Sequence, residues 1–306
     1  MSNKRVTIAV IDTVGSVSDL HSGFVGRHEG VVIRGNEPPG YYEGAGCHPH
    51  GTMAADKILQ ALSPANGVDY QLEFMRIFTK TGGFIPRAFK SGWVFNMLRK
   101  FASQTDVLYV NNSWGANIGA KTFSKSDKLE AQAWRDFIAD TGAVVVWAAG
   151  NEGDFFADND DNAPQAMLTD VSLLVGSRDR RGIPSKFSSD SHRSPPFCVM
   201  WGEDLRLWNG VRNRWDRGSG TSFAAPKLTG LLAAKGYTRE RVRELIPQFS
   251  RPTDYPENKL PHAKWGYGDG EALYQELLKG ETRLQMTTPQ ALTAGVTWFD
   301  FNEIGG

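Results

Sequence analysis

The chain of 306 residues carries 34 Lys and Arg against 34 Asp and Glu, so its formal net charge is zero. That balance argues against a protein held to nucleic acid by charge alone. With 40% apolar residues, 17 Phe and 9 Trp it is not a disordered chain, and 33 Gly with 15 Pro are too many for a helical bundle.

The first core element is the apolar run Val6 to Ile11, whose β-branched residues mark a strand buried on both faces. Similar runs recur at Leu72 to Phe78, Val107 to Val110, Ala143 to Trp147 and Val171 to Val175. Helix-like segments lie between them: about His50 to Leu62, Pro86 to Ser103 and Asp127 to Asp140. In the third, Leu129, Ala133, Phe137 and Ile138 recur near helical spacing, with Lys128, Glu130, Arg135 and Asp136 off that stripe. Thr221 to Lys235, Thr238 to Ile246 and Asp269 to Lys279 follow the last strand as further helices. Strands alternating with helices predict an α/β fold with a mostly parallel central sheet and helices on both faces.

No internal repeat or linker divides the chain, so residues 1–306 are expected to form a single domain. The segment Arg178 to Gly218 is irregular, with nine basic and five acidic residues interleaved with Trp201, Trp208 and Trp215. Basic and aromatic residues together can make a nucleic-acid platform. Strands and turns whose tryptophans pack on the domain are the stronger reading, and no nucleic-acid partner is expected. Cys47 and Cys198 make neither a disulfide framework nor a zinc site. No run approaches the roughly 18 apolar residues of a membrane span, and no secretory signal opens the chain. A cytoplasmic protein without a membrane partner is expected.

In an open parallel sheet, functional groups collect beyond the carboxyl ends of the strands. Asp12 follows the first strand in VIDTVG, and His50 opens a helix in HPHGTMAADKI. Asn151 follows a strand in AAGNEGD, and Ser222 opens a helix in SGTSFAAPKLTG. Singly, each has a plainer role as a cap, a turn residue or a core side chain. Jointly they supply an acyl-transfer site. A serine hydroxyl needs an imidazole to take its proton, and the imidazole needs a carboxylate to fix its tautomer. The oxyanion then needs donors, which a side-chain amide and a helix-start N–H can be.

In chain order, IDT, HGT, SWG, AAGNEG and GTSFAAP resemble the signature segments of subtilisin-like serine peptidases, the subtilases. The likeness runs from about Val6 to Leu278, through Phe187-Ser188-Ser189 and the closing GYGDGEAL. It implies the subtilisin-like fold and a serine endopeptidase acting on protein or peptide. Asp12, His50 and Ser222 would be its triad and Asn151 its oxyanion donor. Val14 stands where the family usually has glycine, and Pro49 precedes His50 in place of a polar residue. His48 is a rival general base; His50 is preferred because Gly-Thr follows it. LSPANG, Leu62 to Gly67, lacks the family's calcium-loop carboxylates, and no metal or cofactor is expected.

The resemblance also implies that Ser113-Trp114-Gly115 and Ala148-Ala149-Gly150 wall the primary specificity pocket, pairing with an extended peptide. The loop after Asn151 carries Glu152, Asp154, Asp158, Asp160 and Asp161. Asp161 at the pocket floor would favour Arg or Lys before the scissile bond, although a solvated acidic face is the plainer reading. Gly82 and Gly83 are candidates for the opposite edge of the cleft. Only five residues precede Val6, too few for an inhibitory prosegment. Narrow specificity or a regulatory protein partner is therefore expected to restrain the enzyme. A transpeptidase or macrocyclase using the same triad, and an inactive peptide-binding module, are the alternatives.

Overall fold

The computed structural model describes residues 3–13, 31–38, 48–62, 68–79, 81–85, 88–89, 92–117, 123–152, 162–181, 183–189, 198–242 and 268–269. Its centre is an eight-stranded sheet in the order β2–β3–β1–β4–β6–β8–β9–β12. The strands are β1 (Lys4–Asp12), β2 (Val31–Asn36), β3 (Val68–Arg76), β4 (Val107–Asn112), β6 (Val144–Ala148), β8 (Leu173–Arg178), β9 (Cys198–Trp201) and β12 (Gly268–Asp269). Every neighbouring pair is parallel. Two small antiparallel pairs flank it: β5 (Ala116–Asn117) with β7 (Asn162–Ala163), and the hairpin β10 (Leu205–Asn209) with β11 (Arg214–Gly218).

Side chains alternate across the sheet, so one continuous apolar strand feeds two cores. Val6, Ile8 and Val10 of β1 pack on the face covered by α1 (Pro49–Ala61) and α4 (Thr221–Lys235). Ala9 and Ile11 pack on the face covered by α2 (Trp93–Ala102) and α3 (Lys125–Thr141). Each Val or Ile side chain among them contributes roughly 1.5–3 kcal/mol by leaving water. Helices α1 and α4 also touch directly, at Gly230: a Cβ there would lie 2.3 Å from the Ile58 carbonyl oxygen.

Several elements differ from their sequence expectation. Of the helix expected over Pro86 to Ser103, Ala88–Phe89 are helical and Trp93–Ala102 form α2, with Gly92 just before α2 at a left-handed φ of 71°. Helix α3 begins two residues early, since Ser124 and Asp127 form a reciprocal capping box. Asp269, expected to open a helix, instead pairs with Val199 at the sheet edge. The expected helix at Thr238 is described as far as Val242; the remainder of that helix and the one expected beyond Asp269 lie outside the described residues. Within Arg178 to Gly218 the structure has β9 and the β10–β11 hairpin, with Trp208 buried and Trp215 packed on the main core. No helix among the described residues is long and apolar enough to cross a membrane.

Candidate active site

The winding of the sheet reverses at β1, which has β3 on one side and β4 on the other. The carboxyl ends of β1, β4 and β6 therefore open onto one crevice. Asp12, the last residue of β1, is buried, and its Oδ1 accepts the Thr13 backbone N–H at 2.7 Å. Thr13 ties this strand end to α1: its hydroxyl donates to the His48 carbonyl at 2.8 Å and accepts from the Gly51 N–H at 2.9 Å.

The two histidines have different work. His48 is the N-cap of α1, and its Nδ1 accepts the His50 backbone N–H at 3.3 Å. His50 turns its ring toward Asp12, with Nδ1 2.9 Å from Oδ1 and 3.0 Å from Oδ2. An ionised carboxylate only accepts, so Nδ1 carries the proton and Nε2 is left as a base. Burial works against the charged form of His50, but the charge and hydrogen bond of Asp12 outweigh it and raise the pKa above the usual value. Burial, with the neighbouring His50, lowers that of His48, and Asp12 opposes this.

The His50 ring packs 5.5 Å from that of Phe223, which adjoins Ser222. Ser222 is buried at the start of α4, where the first N–H groups have no acceptor within the helix. Asn151 follows β6 in the same crevice. Its Oδ1 accepts from the Thr221 backbone N–H at 2.8 Å and lies 3.1 Å from the Thr221 hydroxyl. The amide oxygen is thus committed to Thr221, and Asn151 itself is exposed. Thr221 also meets Gly150, whose N–H donates to its hydroxyl at 3.1 Å.

Ser113-Trp114-Gly115 leaves β4 and Ala148-Ala149-Gly150 ends β6, so the expected pocket walls lie side by side. The Ser113 side chain is buried and donates to the Ser222 carbonyl at 2.9 Å, so only its backbone can meet a substrate. Trp114 is partly buried among Phe78, Phe84, Phe89 and Trp147, and its indole N–H donates to Asn112 at 3.1 Å. Gly82 lies beside His48, which puts the Gly82-Gly83 segment at the cleft edge. Asp161, Asp154, Asp158, Asp160 and Cys47 lie outside the described residues.

Thr13 and Thr221 lie within the quoted motifs IDT and GTSFAAP but carried no role of their own in the sequence expectation, and Gln165 had no part in it. No motif signals Gln165. It is buried between the walls, its Nε2 3.4 Å from the Ala148 carbonyl, and a Cβ on Gly115 would come within 2.1 Å of that nitrogen. Among the described residues, no group of three or more His, Cys, Asp or Glu side chains is placed to hold a metal ion.

Comparison with known proteins agrees with this architecture. The major intracellular serine protease of Bacillus subtilis (strain 168) is 26% identical over 253 residues, covering 81% of this chain and 74% of that one. Neuroendocrine convertase 2 of Homo sapiens is 26% identical over 254 residues, covering 76% of this chain and 38% of the convertase. The chain thus spans well under half the convertase's length. The solved structure of a cold-adapted subtilisin-like serine proteinase superposes with a TM-score of 0.57 at 21% identity, covering 86% of each chain, a likeness of fold. The family model of the Subtilase family matches residues 3–268. The chain belongs to the Subtilase family of serine endopeptidases.

Proposed function

We propose that Asp12, His50 and Ser222 form the working triad of this endopeptidase, with Asn151 as oxyanion donor. The observation that carries the proposal is the contact of His50 Nδ1 with both oxygens of buried Asp12. In the neutral ring it leaves Nε2 as the free base, on a ring packed beside Phe223, the residue that follows Ser222.

His50 takes the Ser222 proton as Oγ attacks the scissile carbonyl. The Asn151 NH2 group and the Ser222 backbone N–H stabilise the oxyanion, whose charge the N-terminus of α4 also favours. His50 then protonates the leaving amine, and water, activated by the same imidazole, releases the acyl group. An extended protein or peptide substrate adds its backbone along Ser113-Trp114-Gly115. The likeness to an intracellular protease supports work inside the cell, restrained by narrow specificity or by a regulatory partner.

A fluorophosphonate probe and a peptide library read by mass spectrometry test this. The native chain should be labelled at Ser222 and should cut. Ser222→Ala should lose both activities, His50→Ala should lose nearly all hydrolysis, and His48→Ala should keep most of it. A dead His48→Ala variant beside an active His50→Ala variant would overturn the base assignment. Asn151→Ala should lower kcat about 10²–10³-fold with little change in KM; a variant that loses affinity but keeps its rate puts Asn151 in binding instead.

A further inference from the structure

Helix α4 contains a proline, Pro226, one turn after the proposed nucleophile. In an α-helix the N–H of residue i bonds the carbonyl of residue i−4. For Pro226 that carbonyl belongs to Ser222, and proline has no N–H to give. The backbone of the nucleophile is therefore left with an acceptor that the helix cannot fill, in a buried place. Another strand fills it. The Ser113 hydroxyl, from the end of β4, donates to the Ser222 carbonyl at 2.9 Å.

The direction of that bond is fixed by what lies behind it. A carbonyl only accepts, so the single proton of Ser113 goes to Ser222, and the Ser113 oxygen is free to accept. Asn111 Nδ2 donates to it at 3.0 Å. The Asn111 amide oxygen lies 3.1 Å from the Thr229 hydroxyl, whose single proton is shared with the Ala225 carbonyl, also at 3.1 Å, and Thr229 lies two turns along α4 from Ser222. Asn111, Ser113 and Thr229 are all buried. The chain of donors thus leaves α4 at Thr229, crosses β4 and returns to α4 at Ser222, bracing the first turns of the helix against the sheet.

We propose that Ser113 is a positioning residue for catalysis: it holds the Ser222 backbone by supplying the hydrogen bond that Pro226 withholds. Resting on the triad reading above, this gives Ser113 a role distinct from lining the specificity pocket. A nucleophile displaced by about 1 Å can lose on the order of 10² in rate, so the hydroxyl acts through the placement of Ser222 Oγ. It touches no substrate.

The test is a double-mutant cycle, because Pro226→Ala restores an N–H that can close the bond to Ser222 from within the helix. Ser113→Ala in the native background should lower kcat roughly 10–100-fold, with KM within about threefold and slower fluorophosphonate labelling. In the Pro226→Ala background the same substitution should cost less than about threefold in kcat. Ser113→Thr, which keeps the hydroxyl, should lie nearer the native rate than Ser113→Ala. If Ser113→Ala does not fold, the double variant should fold and cut, since its Ser222 carbonyl is satisfied again. Equal losses in the two backgrounds, a loss confined to KM, or a double variant no better than Ser113→Ala overturns the proposal. A native chain that the probe fails to label overturns the triad reading itself; a labelled native chain without the coupling overturns only the role of Ser113.

Discussion

At the scale of single residues, the proposed triad makes one carboxylate set the pH range of activity. Asp12 raises the pKa of His50 against the pull of burial, and a general base works only when neutral. The acidic limb of kcat/KM should therefore inflect above about 6.5, the ordinary imidazole value. In Asp12→Asn the charge is gone and burial remains, so the limb of any residual activity should move to lower pH. Rate profiles from pH 5 to 9 for both proteins check this; a native inflection at or below the ordinary value counts against it. The stability sign is opposite. The folded state holds the His50 proton more tightly, so this pair contributes most below the unfolded pKa and loses its contribution as pH rises through the folded one. Sequence alone names Asp12, His50, Asn151 and Ser222 because each stands in a motif at the end of a strand or the start of a helix. It misses Gln165, whose place between the walls comes from the β5–β7 pairing, two residues long on each strand. So short a pairing leaves no periodic trace.

At the scale of elements, α3 carries a second titratable group of interest. Glu130 sits one turn after Asp127, and burial together with that charge pushes its carboxyl up to about 7, with the Trp134 side chain opposing. A raised folded pKa means stability that is present below the unfolded value and lost as pH rises through about 7. Glu130→Gln stays neutral throughout. Its Tm should match the native Tm near pH 4 and exceed it at pH 8; equal melting at both would show that the carboxylate is not penalised. Four of the five strand runs were legible because a strand buried on both faces has no charged interruption; Leu72 to Phe78 stood out despite Glu73 and Arg76, both buried. Strand β2 was not, because this edge strand alternates exposed and half-buried residues and contains Arg34, Gly35 and Asn36. The β10–β11 hairpin hid for a related reason. Its arginines face solvent while its tryptophans pack inward, which reads as a charged irregular stretch.

At the scale of the whole molecule, the site depends on how two helices meet. His50 rides on α1 and Ser222 on α4, and these helices approach closely only because residue 230 has no side chain. A Cβ at 2.3 Å from the Ile58 carbonyl meets backbone, which cannot swing aside. Gly230→Ala should destabilise the fold by about 1–3 kcal/mol, read by urea unfolding, and should lower activity by moving α4 off α1. An unchanged midpoint together with native activity would show that the contact yields. Helix α4 also packs on β4, β6, β8 and β9, four strands that all precede it in sequence. Asp12 and Ser222 stand at opposite ends of this order, one in the first strand and the other in the helix that closes the same face. In the proposed triad a ribosome therefore makes the acid first and the attacking hydroxyl only after strands β1 to β11. With Ser222 as the proposed nucleophile, a growing polypeptide would be unable to cut itself or its neighbours until α4 emerges and docks, so the order of synthesis would act as a timer on proteolysis.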